Sequence, residues 1–167
     1  RANDDASSFT MDELRALNAG LWFIQKDPYN TIESGLVSQS QLSVNQGQKI
    51  PTLVQALELV SQEDMVILFD LRYPPPEHLY HDQFFEIVFD LCKESGQNGD
   101  IWFLVDRENL DLILEEAPQM TRVIGASSTN LPDPGILINL NYEILNVDAG
   151  ILKDEILAYR EEGLGVN

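Results

Sequence analysis

The amino-acid sequence predicts an α/β fold built on a parallel sheet. Two continuous apolar runs, Met65–Phe69 and Ile101–Val105, are typical of strands that are buried on both faces. Each run is followed by a segment whose apolar residues recur at helical spacing. Strands that alternate with helices over short connections form parallel sheets with right-handed crossovers. The fold class therefore follows from the order of the elements.

Residues 1–50 differ in composition from the rest and are assigned to a separate subdomain. Thr10 and Glu13 form a capping-box pattern, which predicts a short helix. The stretch 34–48 is rich in Ser, Gln, Asn and Gly, which is typical of a linker or a mobile loop. Residues 51–167 are therefore taken as the α/β portion of the chain.

Four helices are predicted in the α/β portion from capping residues and apolar spacing. Thr52 and Gln55 form a second capping box at the first helix. Asp82 and Asp106 each precede a periodic apolar segment and are expected to cap the second and third helices. Gly163 closes the last one.

Two further strands are predicted, a weaker one at Arg122–Ile124 and a better one at Ile136–Leu140. A (β/α)8 barrel usually contains about 250 residues, whereas this chain has 167 and only four or five visible strands. We therefore expect a partial barrel, truncated at both ends. Its unpaired strand edges and apolar faces predict self-association.

The charge of the chain restricts its ligands. A net charge of −18 argues against nucleic acid as a partner, because binding to phosphate backbones requires a basic surface. An anionic substrate would need a local positive charge, and a divalent cation is the natural source. The single cysteine excludes an intrachain disulfide and a cysteine-based zinc site. Dinucleotide-binding, P-loop and nucleophile-elbow motifs are absent from the sequence.

Candidate functional residues lie at or just beyond the predicted strand ends. Reactive groups of parallel α/β folds collect at this edge, where the strands give way to loops. The residues in question are Asp70, Arg72, Asp106, Asn139 and Asn141. Asp106 is more simply explained as a helix cap.

Asp70 and Arg72 allow two interpretations. Because side chains alternate along a strand, both residues point to the same side. A carboxylate at the rim of a buried sheet needs a partner, and Arg72 can provide it as an ion pair. Alternatively, Asp70 is a ligand of Mg²⁺ or Ca²⁺, which prefer oxygen donors.

Three other groups of residues have a structural and a functional reading. His78 and His81, which follow a proline-rich loop, are either solvated side chains or an acid, base or ligand. Trp22 and Phe23 either anchor the first subdomain or line a substrate entrance. Cys92 lies on the apolar side of its helix and is expected to pack there.

Several motifs together resemble glycerophosphodiester phosphodiesterases, in particular an animal branch with several transmembrane helices. The resemblance covers nearly the whole chain. The motifs are, in order, Leu17-Asn18-Ala19-Gly20 before Trp22-Phe23, Ile50-Pro51-Thr52-Leu53, Val66–Arg72, Pro74-Pro75, and His78-x-Tyr80-x-Asp82.

The resemblance implies a (β/α)8 barrel that hydrolyses glycerophosphodiesters to an alcohol and a phosphomonoester. Such enzymes hold a divalent cation with three carboxylates and use two histidines for acid–base chemistry. Asp70 stands where many members have a glutamate metal ligand, and Arg72 stands where they have a phosphate-binding lysine. The resemblance also implies a membrane protein whose catalytic domain is extracellular or lumenal.

The remaining machinery implied by the resemblance is not found in this sequence. The His-Arg-Gly motif, the Glu-x-Asp pair and the second histidine are expected outside it, and His78 and His81 do not match the catalytic histidines. The resemblance therefore implies a metal-dependent phosphodiesterase, and the 167-residue chain by itself is expected to be inactive. The exchanges at Asp70 and Arg72 leave open a non-catalytic binding or scaffold domain.

Overall fold

A computed structural model describes residues 5–167 and divides the chain into two compact units. The first unit ends at Leu53, and the second comprises Val54–Asn167. This division lies close to the predicted boundary between residues 50 and 51. That the first unit is an insertion into a barrel stays a prediction.

The described part of the first unit contains a 3-10 helix at Ala6–Ser8 and three short α-helices, α1 (Met11–Ala16), α2 (Leu21–Lys26) and α3 (Gln39–Asn45). The capping box at α1 is confirmed: the Glu13 amide donates to Thr10 Oγ1 over 3.3 Å, and the Thr10 amide donates to Glu13 Oε2 over 2.9 Å. The expectation of a linker or mobile loop over residues 34–48 is wrong for the part that forms α3. A second capping box, between Ser38 and Gln41, satisfies the first amides of that helix.

From residue 53 onward helices and strands alternate. The elements are α4 (Leu53–Glu63), β1 (Ile67–Asp70), α5 (Phe84–Ser95), β2 (Ile101–Leu104), α6 (Leu110–Glu116), β3 (Thr121–Ala126), α7 (Pro134–Asn139), β4 (Ile144–Val147), α8 (Lys153–Glu161) and β5 (Gly165–Val166). The strands form one open parallel sheet in the order β1-β2-β3-β4-β5. This confirms the predicted α/β class and is consistent with a partial (β/α)8 barrel.

The sheet is covered by helices on one face. Right-handed crossovers between successive neighbouring strands place their helices on the same side. There Phe89 of α5 is completely buried and lies edge-on to Phe103 of β2, with ring centroids 5.2 Å apart. The alternate residues Trp102 and Leu104 are only half-buried on the opposite face. The core therefore lies between the helices and one face of the sheet.

The expectation that the first strand is buried on both faces is wrong. β1 alternates between half-buried and exposed residues, and Met65, Val66 and Leu68 are all exposed. The reason is its position at the edge of the sheet, where it pairs only with β2. The apolar run therefore predicts the strand correctly but does not predict how far its residues are buried.

The strand predicted at Ile136–Leu140 is a helix, α7. Asp133 caps it by accepting a hydrogen bond from the Ile136 amide over 3.1 Å, and Pro134 occupies its first turn. The true fourth strand is β4, at Ile144–Val147. A short apolar run fits either a strand or a buried helix, and here the cap and the proline decide for the helix.

Asp82 and Asp106 do not cap the helices expected of them. The N-cap of α5 is Gln83, one residue after Asp82. The N-cap of α6 is Asn109, because a turn separates Asp106 from the helix. Gly163 follows the end of α8 as predicted, Gly96 follows the end of α5, and both adopt a positive φ that suits glycine.

Arg122 joins the start of β3 to its neighbours from a buried position. Its side chain donates to the carbonyls of Pro118, Met120 and Asn141 and forms a 2.9 Å ion pair with Glu143. These contacts satisfy three carbonyls at the amino edge of the sheet, and the bond to the Met120 carbonyl is buried.

Candidate functional site

A cavity of about 310 Å³ lies at the carboxyl edge of the sheet, beyond the ends of β1 and β2. Its walls include apolar residues of the core such as Phe85, Phe103 and Ile113. Its polar lining consists of Asp70, Arg72, Asp106, Arg107 and Asn109. The structure thus brings together Asp70, Arg72 and Asp106, three of the five residues predicted from strand ends.

The pairing of β1 and β2 explains this convergence. The two strands are parallel, and Asp70 is in register with Leu104. Neighbouring strands lie about 4.8 Å apart, so the residues that follow them emerge side by side. Arg72 follows β1 by two residues, and Arg107 follows β2 by three. Two guanidinium groups therefore leave adjacent strands at the same edge.

The predicted ion pair between Asp70 and Arg72 is confirmed. Arg72 Nη2 lies 3.0 Å from Asp70 Oδ1 and 3.1 Å from Oδ2. The side chains are 54% and 80% exposed, so solvent screens the attraction. Such a pair contributes little to stability and can open at low cost when a ligand competes for either partner.

Asp70 lines the cavity, and its carboxylate is the kind of oxygen donor that hard cations prefer. Within residues 5–167, however, no three His, Cys, Asp or Glu side chains lie close enough together to hold a metal ion.

A chain of hydrogen bonds connects the two loops that border the cavity. Asp106 Oδ1 accepts from the Asn109 amide over 3.2 Å and from Asn109 Nδ2 over 2.9 Å. The Tyr73 hydroxyl donates to Asn109 Oδ1 over 3.4 Å. The turn after β2 is thereby fixed to the loop after β1, with Arg107 between Asp106 and Asn109.

Asn139 and Asn141 are not part of this site, and their prediction as strand-end residues is wrong. Asn139 is the last residue of α7, and Asn141 lies in the turn before β4 with a positive φ. The Asn141 carbonyl accepts from Arg122 at the amino edge of the sheet. Both errors follow from the helix that was taken for a strand.

The two histidines hold the loop after β1 rather than facing the cavity. His81 Nδ1 lies 2.6 Å from the Pro74 carbonyl, and its ring packs on Tyr73 with centroids 5.2 Å apart. His78 Nδ1 accepts from the Tyr80 amide over 3.2 Å. His81 is therefore a structural side chain of this loop and not simply a solvated one.

The other predicted side chains lie elsewhere. Phe23 borders a separate cavity inside the first unit, while Trp22 is exposed on α2. Cys92 is completely buried on α5, as expected, and burial raises the pKa of its thiol to about 11.

Asp148 is a polar anchor that sequence reasoning missed. It follows β4 directly and accepts hydrogen bonds from Ser127 Oγ, from the amide and hydroxyl of Ser128, and from the Gly150 amide. These donors lower the pKa of Asp148 to about 2, the Ser128 hydroxyl having the largest effect. A Cβ at Gly150 would lie 2.4 Å from Ser128 Oγ, so a larger residue there would have to shift this hydroxyl.

Within the described residues, no helix combines the length and the apolar character needed to cross a bilayer. The fold and the cavity define a parallel α/β protein with a polar site at the carboxyl edge of its sheet, and the open sheet is consistent with a partial barrel.

Curated proteins resemble the chain over most of its length. It is 28% identical over all of its residues to human glycerophosphoinositol inositolphosphodiesterase GDPD2, and 28% identical over 87% of its residues to the mouse protein of that name. It is 33% identical over 75% of its residues to human glycerophosphodiester phosphodiesterase domain-containing protein 5. No family model matches the chain.

The chain is therefore a homologue of proteins of the glycerophosphodiester phosphodiesterase family, as its motifs predicted. It spans 30%, 26% and 20% of the lengths of these three relatives, respectively.

Proposed function

We propose that the full-length protein hydrolyses glycerophosphodiesters in the cavity at the carboxyl edge of the sheet. The observation that carries this proposal is the pairing of Asp70 and Arg72 at the rim of the cavity, 3.0 Å apart. At this place the carboxylate is suited to bind a cation, and the guanidinium is suited to bind a phosphate. The names of the relatives support the same reaction class.

In this proposal Asp70 is one ligand of a divalent cation, Mg²⁺ or Ca²⁺. The cation, when bound, would polarise the phosphoryl oxygens and offset the charge of the substrate. Further ligands and the acid–base histidines would come from parts of the protein outside this sequence, so the 167-residue chain alone is expected to be inactive.

Arg72 would bind the substrate phosphate. Its planar guanidinium can donate two parallel hydrogen bonds to phosphate oxygens, which a lysine cannot do. In the structure described here its Nη2 is occupied by Asp70. Engagement of Asp70 by a cation would free Arg72 for the substrate, so the two binding events are expected to favour each other.

The test is hydrolysis by the full-length protein with and without a chelator. We expect phosphomonoester release that disappears on chelation and returns with added Mg²⁺ or Ca²⁺. Arg72→Ala should lower kcat/KM about tenfold or more, because a charge-assisted hydrogen bond to phosphate is lost. Turnover that is indifferent to the chelator and to Arg72→Ala would contradict the proposal.

A non-catalytic binding domain is the second candidate. It is favoured by the closed ion pair between Asp70 and Arg72, in which each side chain already has a partner. A full-length protein that binds a glycerophosphodiester but never hydrolyses it would identify this alternative. If the protein is the hydrolase proposed first, we further propose that it is a membrane protein whose catalytic domain is extracellular or lumenal, as the resemblance implies.

A further inference from the structure

Arg107 is a second cationic side chain at the cavity, beyond the one that the proposed function uses. It lines the same cavity as Arg72, from the turn that follows the neighbouring strand β2. The backbone of this turn is held by the hydrogen bonds between Asp106 and Asn109, at 2.9 and 3.2 Å. Arg107 therefore leaves a fixed turn, not a free loop.

The guanidinium of Arg107 has no partner among residues 5–167. It takes part in no ion pair and no hydrogen bond there, whereas Arg72 is paired with Asp70 and Arg122 with Glu143. What distinguishes Arg107 from other basic residues without an ion pair in the described part of the chain, such as Arg160, is that it lines the cavity. Its neighbour Asp106 is engaged by Asn109 instead. The donors of Arg107 are left available to a ligand.

A glycerophosphodiester carries one phosphate charge, for which Arg72 suffices. A second guanidinium then faces the rest of the substrate. It can donate to hydroxyl or phosphate oxygens of a head group, while Asp106 and Asn109 beside it can accept from hydroxyl groups. A quaternary ammonium head group has no acceptor for these donors, and Arg107 repels it.

We propose that Arg107 is a specificity-determining residue that selects diesters with a polyol head group over diesters with a cationic one. This inference rests on the proposed function for the reaction, but the binding preference can be measured without turnover. The ligand class is a cyclic or linear polyol joined through the phosphodiester, with glycerophosphoinositol as the probe and glycerophosphocholine as the cationic comparison.

The experiment compares Arg107→Ala, Arg107→Lys and the charge-matched control Arg160→Ala in the full-length protein. Arg160 is exposed in the last turn of α8, outside the cavity. Arg107→Ala should raise KM for glycerophosphoinositol about tenfold, the value of one charge-assisted hydrogen bond, and leave KM for glycerophosphocholine unchanged or lower. Arg107→Lys keeps the positive charge but lacks the planar guanidinium. Its KM for glycerophosphoinositol should therefore lie between those of the wild type and of Arg107→Ala.

The inference would be overturned if Arg107→Ala changed KM equally for the two substrates or for neither. It would also be overturned if Arg160→Ala had the same effect as Arg107→Ala. If the wild-type protein does not hydrolyse either diester, the proposed function fails, and equilibrium binding decides on Arg107 alone. Arg107→Ala should then weaken binding of glycerophosphoinositol about tenfold and spare glycerophosphocholine. Absent binding of glycerophosphoinositol, or binding that Arg107→Ala does not change, would also overturn it.

Discussion

At the scale of single residues, Asp70 and Arg72 were predictable because they end an apolar run in sequence. Arg107 and Asn109 were missed because Asp106 was taken for a helix cap. In the structure a turn intervenes, and it carries both residues to the cavity. Only tertiary packing determines where such a turn points, so the second half of the site could not follow from strand patterns.

Asp148 gives a residue-scale prediction with a defined pH dependence. Its folded pKa of about 2 lies below the ordinary 3.8, so the folded state prefers the ionised form. Its contribution to stability is therefore full above about pH 4 and is lost as the pH falls towards 2. Asp148→Asn should lower the unfolding midpoint in urea at pH 7, and NMR should find the carboxyl of Asp148 still ionised at pH 3.

The control for this prediction is Asp100→Asn, which removes an exposed carboxylate outside the network around Asp148. It should leave the urea midpoint nearly unchanged. Equal midpoints for the two variants, or titration of Asp148 near pH 4, would contradict the anchoring role.

Cys92 gives a second residue-scale prediction. The thiol is completely buried and its pKa is raised to about 11, so almost no thiolate exists at pH 8. We expect a thiol reagent to modify the folded chain only as fast as the chain unfolds, and to modify the urea-unfolded chain at once. Rapid modification of the folded chain would show that α5 is not packed as described.

At the scale of elements, apolar runs identified β1 and β2, and periodic spacing identified α4, α5 and α8. The run Ile136–Leu140 was assigned to a strand although it forms a helix. Five residues, four of them apolar, are too few to distinguish the periodicity of a strand from that of a helix. The deciding signal was present just before it, in Asp133-Pro134, a cap followed by a first-turn proline. The burial of β1 was not predictable from its own residues, since it depends on which strands lie beside it.

The packing of α5 on the sheet carries the element-scale prediction. Phe89 is completely buried against Phe103, so Phe89→Ala should reduce the free energy of unfolding by about 3–5 kcal/mol. Ile87 lies on the same helix but is 41% exposed, and Ile87→Ala should cost about 1 kcal/mol or less. Denaturant unfolding of both variants measures the difference. Similar losses for the two would contradict the assigned face of α5.

At the scale of the whole molecule, the sheet is open at β1 and β5, and one of its faces is only half-buried. Unpaired edges and exposed apolar residues favour association. Sedimentation velocity of the 167-residue chain should therefore show a size that rises with concentration. Hydrogen exchange should be slowest in the inner strands β2 and β3. A concentration-independent monomer with equal protection of β1 and β2 would contradict this expectation.

The central claim is that Asp70 at the carboxyl edge takes part in metal-dependent hydrolysis of a phosphodiester. The most direct measurement is the cation dependence of hydrolysis by the full-length protein, comparing Asp70→Asn with Asp82→Asn, an exposed carboxylate that does not line the cavity. The account predicts that Asp70→Asn raises the cation concentration needed for half-maximal activity and lowers kcat at least about tenfold, while Asp82→Asn changes neither. Wild-type activity and cation dependence in Asp70→Asn would contradict it.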